Sequence, residues 1–447
     1  MNTGANSVSR REGTMDKPRD SDANVDERSR AKRSLDSIRK SGGVLEARMR
    51  ELAGVLRYYR RVITDPHVLA EKLVSRGVPP SLFGYRYFER ETVAEYFSRH
   101  PDQRERRYEV LKAEAVAHNP LPRNIMTRQE LPANAGWWGY SFFDVPERRS
   151  GETFLARFKD CKVSWYGEPD LGEDFFPALI HGGNRALDLR EIRFRPGHSR
   201  LLRQSKGAVR HSDAVWFIER VYHNHSHWLT AHLPKLLLLR KHGLISRALL
   251  PKVRTQVIDQ SLEMIGLVPE EFLLFDFSKP LEVEELTVLG TDRFAPHLLR
   301  SVPPAFGVPE TAGSRRIFIS RSQAKRRKLV NEDDIRPKME ADGFEFVCME
   351  NLSFIEQIEL MKETRVLFGS HGAGLTNMMF CPPESHIVEI ADPSFPNPNF
   401  YALASALGHH YWLLPARAHG SVHPLEKDLE AEIPEVYRAL ESLRQLN

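Results

Sequence analysis

Cysteine, long apolar runs and early aromatic residues are all scarce in this 447-residue sequence. Its three cysteines, Cys161, Cys348 and Cys381, cannot build a disulfide framework and form no CxxC metal pair, so a reducing compartment is favoured. No apolar run approaches the ~20 residues that a membrane-spanning helix requires, and the first residues lack the apolar stretch of a secretory signal. We therefore expect a cytoplasmic protein without a transmembrane segment, with at most peripheral contact at the inner face of the membrane.

The charges of the chain are nearly balanced, and their surplus lies near its start. Hydrophobic residues make up 41% and charged residues 28% of the chain, which is typical of a soluble globular protein. Residues 1–50 hold 12 Lys/Arg and 8 Asp/Glu out of totals of 64 and 60, which leaves 52 residues of each sign in the remainder. A body without surplus positive charge argues against nucleic-acid binding.

The composition changes along the chain and suggests four segments. Residues 1–43 contain no aromatic residue and are rich in polar residues, so they are predicted to be a disordered tail. Residues 44–150 carry short helical patterns broken by prolines and are interpreted as a helical N-terminal extension. Two α/β domains are predicted to follow, over 151–305 and 306–447, because a linker-like sequence at 301–313 separates them.

The last third of the chain shows the clearest alternation of strands and helices. Short apolar strands are predicted at Arg316–Ile319, Phe344–Val347, Val366–Phe368 and His386–Ile390. Asn331 is expected to cap the first helix between them, and Ser353 with Glu356 forms a capping-box pattern for the next. Strands that alternate with helices predict βαβ units, so the predicted fold class is α/β with mostly parallel, doubly wound sheets.

A basic segment, Arg315–Lys328, begins as one of these strands. Seven of its fourteen residues are basic and none is acidic. In an open α/β sheet, ligands bind beyond the carboxyl ends of the strands. Arg321 lies just past such an end, where a guanidinium can hold a phosphate through two parallel hydrogen bonds. A solvated basic loop is the alternative, and it suits Arg326 and Lys328 best.

A glycine-rich turn, Gly369–Asn377, joins the next strand to a helix with the sequence GSHGAGLTN. Gly372 and Gly374 let the backbone approach a ligand closely, and the helix that follows directs free N–H groups at an anion. The turn is neither a Walker P-loop, because no GK[ST] follows, nor a GxGxxG dinucleotide motif. His371 is a candidate for stabilising a leaving phosphate or positioning a sugar, with a structural role in the turn as the alternative.

Two further polar patterns flank these segments. His223, His225 and His227 alternate in HNHSHW, and on one face of a strand they could bind zinc, although no Cys or carboxylate at motif spacing completes such a site. We prefer a histidine that faces an acceptor substrate, with Asn224 fixing the local backbone. Glu389 closes the strand HIVEI, where its carboxylate can accept hydrogen bonds from two ribose hydroxyls or pair with a basic residue of the loops.

Taken in this order, the segments resemble glycosyltransferase family 61 over about residues 150–415. The matching elements are N-x-x-H-W (Asn224, His227, Trp228), L-P (Leu233, Pro234), ISR (Ile319, Ser320, Arg321), Arg327, NE (Asn331, Glu332), GF (Gly343, Phe344), LSF.EQI (352–358), GxHGAGLTN (369–377) and EI (Glu389, Ile390).

The resemblance implies a GT-B-like architecture, in which two Rossmann-like doubly wound domains face a cleft. Residues 151–305 would then form the acceptor-side domain and 306–447 the domain that binds the nucleotide sugar. It implies transfer of a sugar, with inversion, from a nucleoside-diphosphate donor to a glycan acceptor, free or lipid-linked. No metal or other cofactor is obligatory in this scheme, and surface polysaccharide such as capsule is the expected product.

The resemblance also assigns roles to site residues. The donor would be held by Arg321, Lys325, Arg327, Ser370, His371, Gly372, Ala373, Gly374, Thr376, Asn377 and Glu389. His227 is the first candidate for the base that deprotonates the acceptor hydroxyl, with Glu219 and His371 as the others. Asn224 and Trp228 are expected on the acceptor side. Asn331 and Glu332 are expected to have a mainly structural role, in which they cap a helix and orient Arg321.

Two other classes of protein remain open at this point. A catalytically inactive scaffold with the same fold would bind a nucleotide sugar or a glycan without turnover. A zinc hydrolase would use His223, His225 and His227 and would retain stoichiometric zinc.

Overall fold

The computed structural model describes residues 89–445 except 136–137, 168–174, 183–184, 196–197, 199–206 and 421–426, together with a few positions between 69 and 82. The predicted tail and the first part of the predicted helical extension lie outside the described residues. The described residues from Glu89 onward belong to one compact unit.

Strands and helices alternate irregularly in the first half of the described chain and regularly in the second. The strands are β1 (Glu89–Glu91), β2 (Tyr108–Lys112), β3 (Ala115–His118), β4 (Glu147–Ser150), β5 (Thr153–Tyr166), β6 (Phe176–His181), β7 (Arg185–Leu187), β8 (Val209–Trp216), β9 (Leu249–Pro251), β10 (Leu273–Phe275), β11 (Leu281–Gly290), β12 (Arg315–Ile319), β13 (Phe344–Val347), β14 (Thr364–Ser370), β15 (His386–Ala391), β16 (His410–His419) and β17 (Asp428–Ala431). The α-helices of four or more residues are α1 (Val93–Arg99), α2 (Pro101–Arg107), α3 (Leu233–Lys241), α4 (Gln256–Met264), α5 (Pro296–Leu299), α6 (Val302–Ala305), α7 (Glu332–Ala341), α8 (Phe354–Lys362), α9 (Asn399–Leu407) and α10 (Ile433–Arg444).

The first sheet has seven strands in the order β1-β7-β6-β5-β11-β8, and β2 pairs with the first half of β5. Most of its pairs are antiparallel, and only β1–β7 and β8–β11 are parallel. This differs from the doubly wound parallel sheet expected for 151–305. The physical reason is that short connections join β5 to β6 and β6 to β7, and strands joined by short connections pair antiparallel. The described part of 44–150 also differs from a helical extension, because β1 and β2 belong to this sheet.

The second sheet has the order β13-β12-β14-β15-β16-β17. Its first five strands are parallel, and β17 pairs antiparallel with β16 at one edge. In chain order the parallel strands are arranged 2-1-3-4-5, which is a common doubly wound arrangement. The chain order reverses between β12 and β14, so a crevice is expected beyond the carboxyl ends of these two strands.

Alternating side chains cover both faces of the second sheet. Ile317 and Ile319 of β12 point into a large apolar core that also contains residues of the first sheet, while Phe318 points into a second core beneath α7 and α10. Strands that are buried on both faces are typical of parallel sheets under helices. The shared core fixes β12 and its carboxyl end relative to the first sheet.

In the described part of the chain, no helix is both long and apolar enough to cross a membrane.

Candidate active site

The predicted arginine and the glycine-rich turn meet beyond β12 and β14. Arg321 follows β12, Gly372 follows β14, and these strands are neighbours in the sheet. A Cβ placed on Gly372 would lie 2.5 Å from Nη1 of Arg321. The close contact between the turn and Arg321 therefore requires glycine at position 372, because a Cβ there would displace the guanidinium.

Neutral groups hold the Arg321 side chain in place. Its Nε and Nη2 each donate to a backbone carbonyl, of Arg327 and Arg326 respectively, at 2.9 Å. Burial lowers the pKa of Arg321, while Glu350 and Asp428 act in the opposite direction. The guanidinium thus stabilises the conformation of the basic loop, and the two carbonyls that it bonds do not neutralise its charge. Arg327 adopts a left-handed backbone with φ 58°, which is unusual for a residue with a side chain.

His371 is oriented by hydrogen bonds on both ring nitrogens. The amide of Asn397 donates to Nε2 at 3.1 Å, so Nδ1 carries the proton and donates to Oε1 of Glu389 at 2.5 Å. The other carboxylate oxygen of Glu389 accepts from the Tyr411 hydroxyl. Burial and the neighbouring Glu389 raise the pKa of Tyr411 well above its usual value. Phe400 packs edge-on against the imidazole with ring centroids 5.0 Å apart.

This arrangement changes the interpretation of Glu389. The carboxylate is fully buried, and both of its oxygens already accept hydrogen bonds. A contact with ribose hydroxyls is therefore not favoured, and Glu389 acts instead as the support of His371. The sequence also allowed Glu389 to pair with a basic residue of the loops. The observed geometry is closer to that alternative, and the partner is His371 of the glycine-rich turn.

A cavity opens next to His371, and it brings in a carboxylate that sequence reasoning missed. Its lining includes Arg327, Asn397, Lys427 and Asp392. Asp392 directly follows β15, and its Oδ1 accepts from the backbone and hydroxyl of Ser394. Its Oδ2 is buried and has no hydrogen-bond partner among the described residues. Asp392 could have been predicted as a site residue from the sequence, because it lies directly after the carboxyl end of a predicted strand.

The HNHSHW segment touches the glycine-rich turn directly. Nε2 of His225 and Oδ1 of Asn377 are 2.8 Å apart, and Nδ2 of Asn377 donates to Gln357 at 2.8 Å. Asn377 is fully buried. Burial lowers the pKa of His225, opposed by its bond to Asn377. The structure therefore places the predicted acceptor-side motif against the predicted donor-side motif, with Asn377 as the link and not as a ligand group.

His227 lies in a strongly cationic environment. Burial, followed by the charge of Arg293, lowers the pKa of His227 well below its usual value, so the ring is neutral at pH 7. Arg293 itself donates to the Thr230 hydroxyl at 3.0 Å, and burial lowers its pKa to about 10. No sequence pattern pointed to Arg293, which comes from the loop after β11.

Glu219 lies nearby in a network of buried charges. Its carboxylate accepts from Lys235 and, at 3.1 Å, from Arg190. Burial alone would raise the pKa of Glu219, but Lys235, Arg190 and His232 together lower it. A carboxylate so stabilised in its ionised form is a weak proton acceptor, which makes Glu219 a poor candidate for the base.

The remaining acceptor-side residues support the backbone. The Asn224 side chain accepts from the backbone N–H of His227 at 3.2 Å and so caps the helical segment His225–His227. That segment continues through a π-helical turn, Trp228–His232, into α3. Trp228 is buried and donates to the Ser261 hydroxyl at 2.8 Å, so it packs the core beneath this segment and is not available to an acceptor. Val221, just before the motif, has φ 60°, which is strained for a β-branched residue.

The other predicted donor residues differ in exposure. Lys325 is exposed on the basic loop, whereas Ala373 and Gly374 of the glycine-rich turn are half-buried. Ser370 and Thr376 are buried, and their hydroxyls have no hydrogen-bond partner within the described part of the chain. Backbone groups and Arg321 are thus the better-placed ligands of this turn.

Asn331 and Glu332 have structural partners. The Asn331 side chain makes no cap bond to α7; it donates to and accepts from the backbone of Ala431, both at 2.9 Å. Glu332 accepts from Ser320 at 2.6 Å and from Arg336 at 2.7 Å. The expectation that these residues cap the helix and orient Arg321 directly is therefore corrected: they fix β17 and the end of β12.

Metal binding by the histidines has no geometric support. Across the residues that the structure describes, no group of three or more His, Cys, Asp or Glu side chains could hold a metal ion. His225 faces Asn377 instead of its neighbours in the motif.

An arginine and a glycine-rich turn therefore lie together at the reversal point of a parallel sheet in an α/β protein, a place where ligands commonly bind. The family model described as Glycosyltransferase 61 matches residues 225–388, so the resemblance is confirmed over this stretch, which is shorter than the 150–415 expected. An EGF domain-specific O-linked N-acetylglucosamine transferase of Drosophila melanogaster is 35% identical over 83 residues. That match covers 18% of this chain and 16% of the fly protein.

Proposed function

We propose that this protein is a glycosyltransferase that moves a sugar from a nucleoside-diphosphate donor to a glycan acceptor with inversion. The observation that carries the proposal is the contact of Arg321 with Gly372 beyond β12 and β14. There, a guanidinium and the amide groups of a glycine turn can share one diphosphate. The family match over 225–388 and the name of the fly relative support the same reaction class.

In this scheme the acceptor oxygen forms a bond to the anomeric carbon while the bond from that carbon to the diphosphate oxygen breaks. The nucleoside diphosphate leaves with the electron pair, and a base takes the proton of the acceptor hydroxyl. Arg321 and the turn stabilise the charge on the leaving group, which is the type of interaction that contributes most to catalysis of such steps. Glu389 and Asn397 hold His371, which directly precedes Gly372, and we propose that its ring interacts with that charge.

His227 remains our candidate for the base. Its ring is neutral at pH 7 and so is in the form that accepts a proton, while burial and Arg293, which lower its pKa, also lower its basicity. For His227 to act as the base, a bound anion must offset the charge of Arg293. The competing candidate Glu219 is committed to Lys235 and Arg190. Asp392 lines the cavity next to His371, and its Oδ2 has no hydrogen-bond partner among the described residues, so Asp392 replaces Glu389 as the proposed partner of the ribose hydroxyls.

Thermal-shift measurements with UDP, GDP, CMP and their sugars test the donor site, and UDP-N-acetylglucosamine belongs in the panel because of the fly relative's name. One nucleotide is expected to stabilise the wild type and Arg326→Ala but not Arg321→Ala. Arg326 is the matched control because it lies on the same loop and offers only its carbonyl to Arg321. Equal stabilisation of all three proteins, or of none, would contradict the proposal.

Turnover decides between an enzyme and a scaffold. A slow hydrolysis of the donor sugar is expected in the wild type, with loss of at least about 100-fold in Arg321→Ala. The anomeric configuration of the transferred sugar, measured by NMR, tests inversion. Nucleotide binding without hydrolysis or transfer would favour the inactive scaffold instead. A role in surface polysaccharide synthesis is part of the proposal and predicts a glycan acceptor.

A further inference from the structure

A second polar cavity lies on the first sheet, away from Arg321, and arginines dominate its wall. Arg190, Arg193, Arg195 and Arg220 line it together with Phe176 and a single carboxylate, Glu191. These residues come from the start of β6, from the loop after β7 and from the segment after β8. No step of the proposed donor chemistry uses them.

The aromatic ring of Phe176 organises two of these arginines. The guanidinium carbons of Arg195 and Arg220 lie 4.5 and 5.0 Å from the ring centroid. A guanidinium stacked on a ring keeps its N–H donors at the edge of its plane, where they can bind a planar oxyanion. The ring carries no charge, so it holds Arg195 without neutralising it.

Carboxylates pair with two arginines of the cavity wall, Arg193 and Arg190. Arg193 pairs with Asp188 at 2.6 Å, and Arg190 pairs with Glu219 at 3.1 Å. Because Glu219 is shared with the buried Lys235, it does not fully compensate Arg190. Among the described residues, four arginines and Lys235 therefore stand against three carboxylates here, Glu191, Asp188 and Glu219.

The cavity is connected to His227 through the same network. The backbone N–H of Glu219 donates to Nε2 of His232 at 3.0 Å, and Nδ1 of His232 donates to the carbonyl of His227 at 3.0 Å. A group bound by Arg190 would thus lie on the His227 side of the site, where the acceptor is proposed to bind. It would lie apart from the Arg321 turn, which holds the donor.

We infer that this cavity binds an oxyanion carried by the acceptor, a sugar carboxylate or a phosphate, and so selects acidic glycans as substrates. The inference rests on the proposed function, because the glycosyltransferase reaction defines the acceptor. The paired donors of arginine match the two oxygens of either group. The cavity then contributes to specificity, while the chemistry takes place at His227.

Binding of small probes tests this inference. D-glucuronate, glucose 6-phosphate and glucose provide a carboxylate, a phosphate and a neutral arm, and they are titrated by calorimetry. The titrations use full-length Arg321→Ala protein, which lacks the cation of the donor site, so nucleotide binding does not enter the result. Glucuronate, glucose 6-phosphate or both are expected to bind, and glucose is not. The probe that binds shows whether the cavity takes a carboxylate, a phosphate or both.

Substitutions locate the bound anion. Arg195→Gln, added to Arg321→Ala, is expected to lower the affinity at least 10-fold, and Arg193→Gln provides a second variant should the first unfold. Arg210→Gln is the matched control, because Arg210 is an exposed arginine on β8. Absence of anion binding, or equal affinity in Arg195→Gln, Arg193→Gln and the control, overturns the inference. The nucleotide screen reports on the proposed function separately, so either can fail alone.

Discussion

The two sides of the candidate site hold their charged groups differently. Beyond β12, Arg321 bonds two neutral carbonyls and lies against a glycine. Beyond β8, Glu219 is buried between Lys235 and Arg190 and is paired with both. A guanidinium that bonds neutral carbonyls is not neutralised, so its positive charge can still attract an anionic ligand. A carboxylate paired with two cations has little negative charge left to interact with a ligand. We infer that the first arrangement serves binding and that the second serves stability and the placement of His227.

Substitution of Glu219 gives the largest predicted effect. Glu219→Ala leaves the ammonium of Lys235, which is 2% exposed, without its partner, so we expect a loss of about 3–5 kcal/mol in the free energy of unfolding. Urea denaturation measures it. Glu282→Ala is the control, since Glu282 pairs with the exposed Lys162 and Arg210, and should cost at most about 1 kcal/mol. A loss for Glu219→Ala no larger than the control would show that the network is not a stability element.

Substitution of Gly372 tests the other side of the comparison. The new Cβ of Gly372→Ala would meet Nη1 of Arg321 at 2.5 Å, so the guanidinium must move. We expect nucleotide affinity to fall by roughly 10–100-fold, or about 1.4–2.7 kcal/mol, while the protein remains folded. Gly151→Ala is the control because its Cβ would meet nothing within 4 Å. If Gly372→Ala left the nucleotide affinity unchanged, Arg321 would not be part of the donor site.

The second sheet could be predicted from the sequence because its signals are local. Apolar runs bounded by helical patterns gave β12 to β15, and the capping box at Ser353 is present as expected, with Glu356 donating its N–H to the Ser353 hydroxyl. The meeting of Arg321 with the glycine turn followed from a general rule, that ligands bind beyond strand ends. In the second sheet, the local sequence patterns and the general rule about strand ends therefore lead to the same arrangement.

The first sheet could not be predicted in the same way, because strand direction depends on which strands become neighbours. β5 is a single strand of fourteen residues, to which both β2 and β6 pair along one edge. Groups that complete the site, such as Arg293 and Arg190, come from loops without a motif. Their contacts with Thr230 and Glu219 cross many residues of sequence and appear only in the folded chain.

Buried histidines on both sides predict a common sensitivity to acid. Burial lowers the pKa of His232, near Glu219, and of His409, behind the glycine turn, to about 4 in each case. Between about pH 6.5 and 4 the unfolded chain binds protons that the folded protein excludes, so stability is complete above this range and falls as the pH decreases through it.

The slope of that decrease tests each histidine separately. His232→Gln and His409→Gln should each reduce it by up to about 1.4 kcal/mol per pH unit, the value for one proton, and the double variant by about twice as much. Urea denaturation from pH 7 to 4.5 measures the slopes. A slope that either variant leaves unchanged would mean that the corresponding ring has the same pKa in the folded and the unfolded protein.

The smallest predicted effect compares one helix cap from each side. Asn224 accepts the N–H of His227 at 3.2 Å, and Ser353 accepts the N–H of Glu356 at 3.3 Å. Replacement of either residue by alanine should cost about 1 kcal/mol, measured as a decrease in the free energy of unfolding. Only Asn224→Ala should also lower sugar transfer, because only that cap fixes the turn that carries His227, whereas Ser353 begins a helix whose cap holds no site residue. If the two variants lost activity equally, the loss would reflect stability alone, and the assignment of the His227 turn to the chemistry would have to be given up.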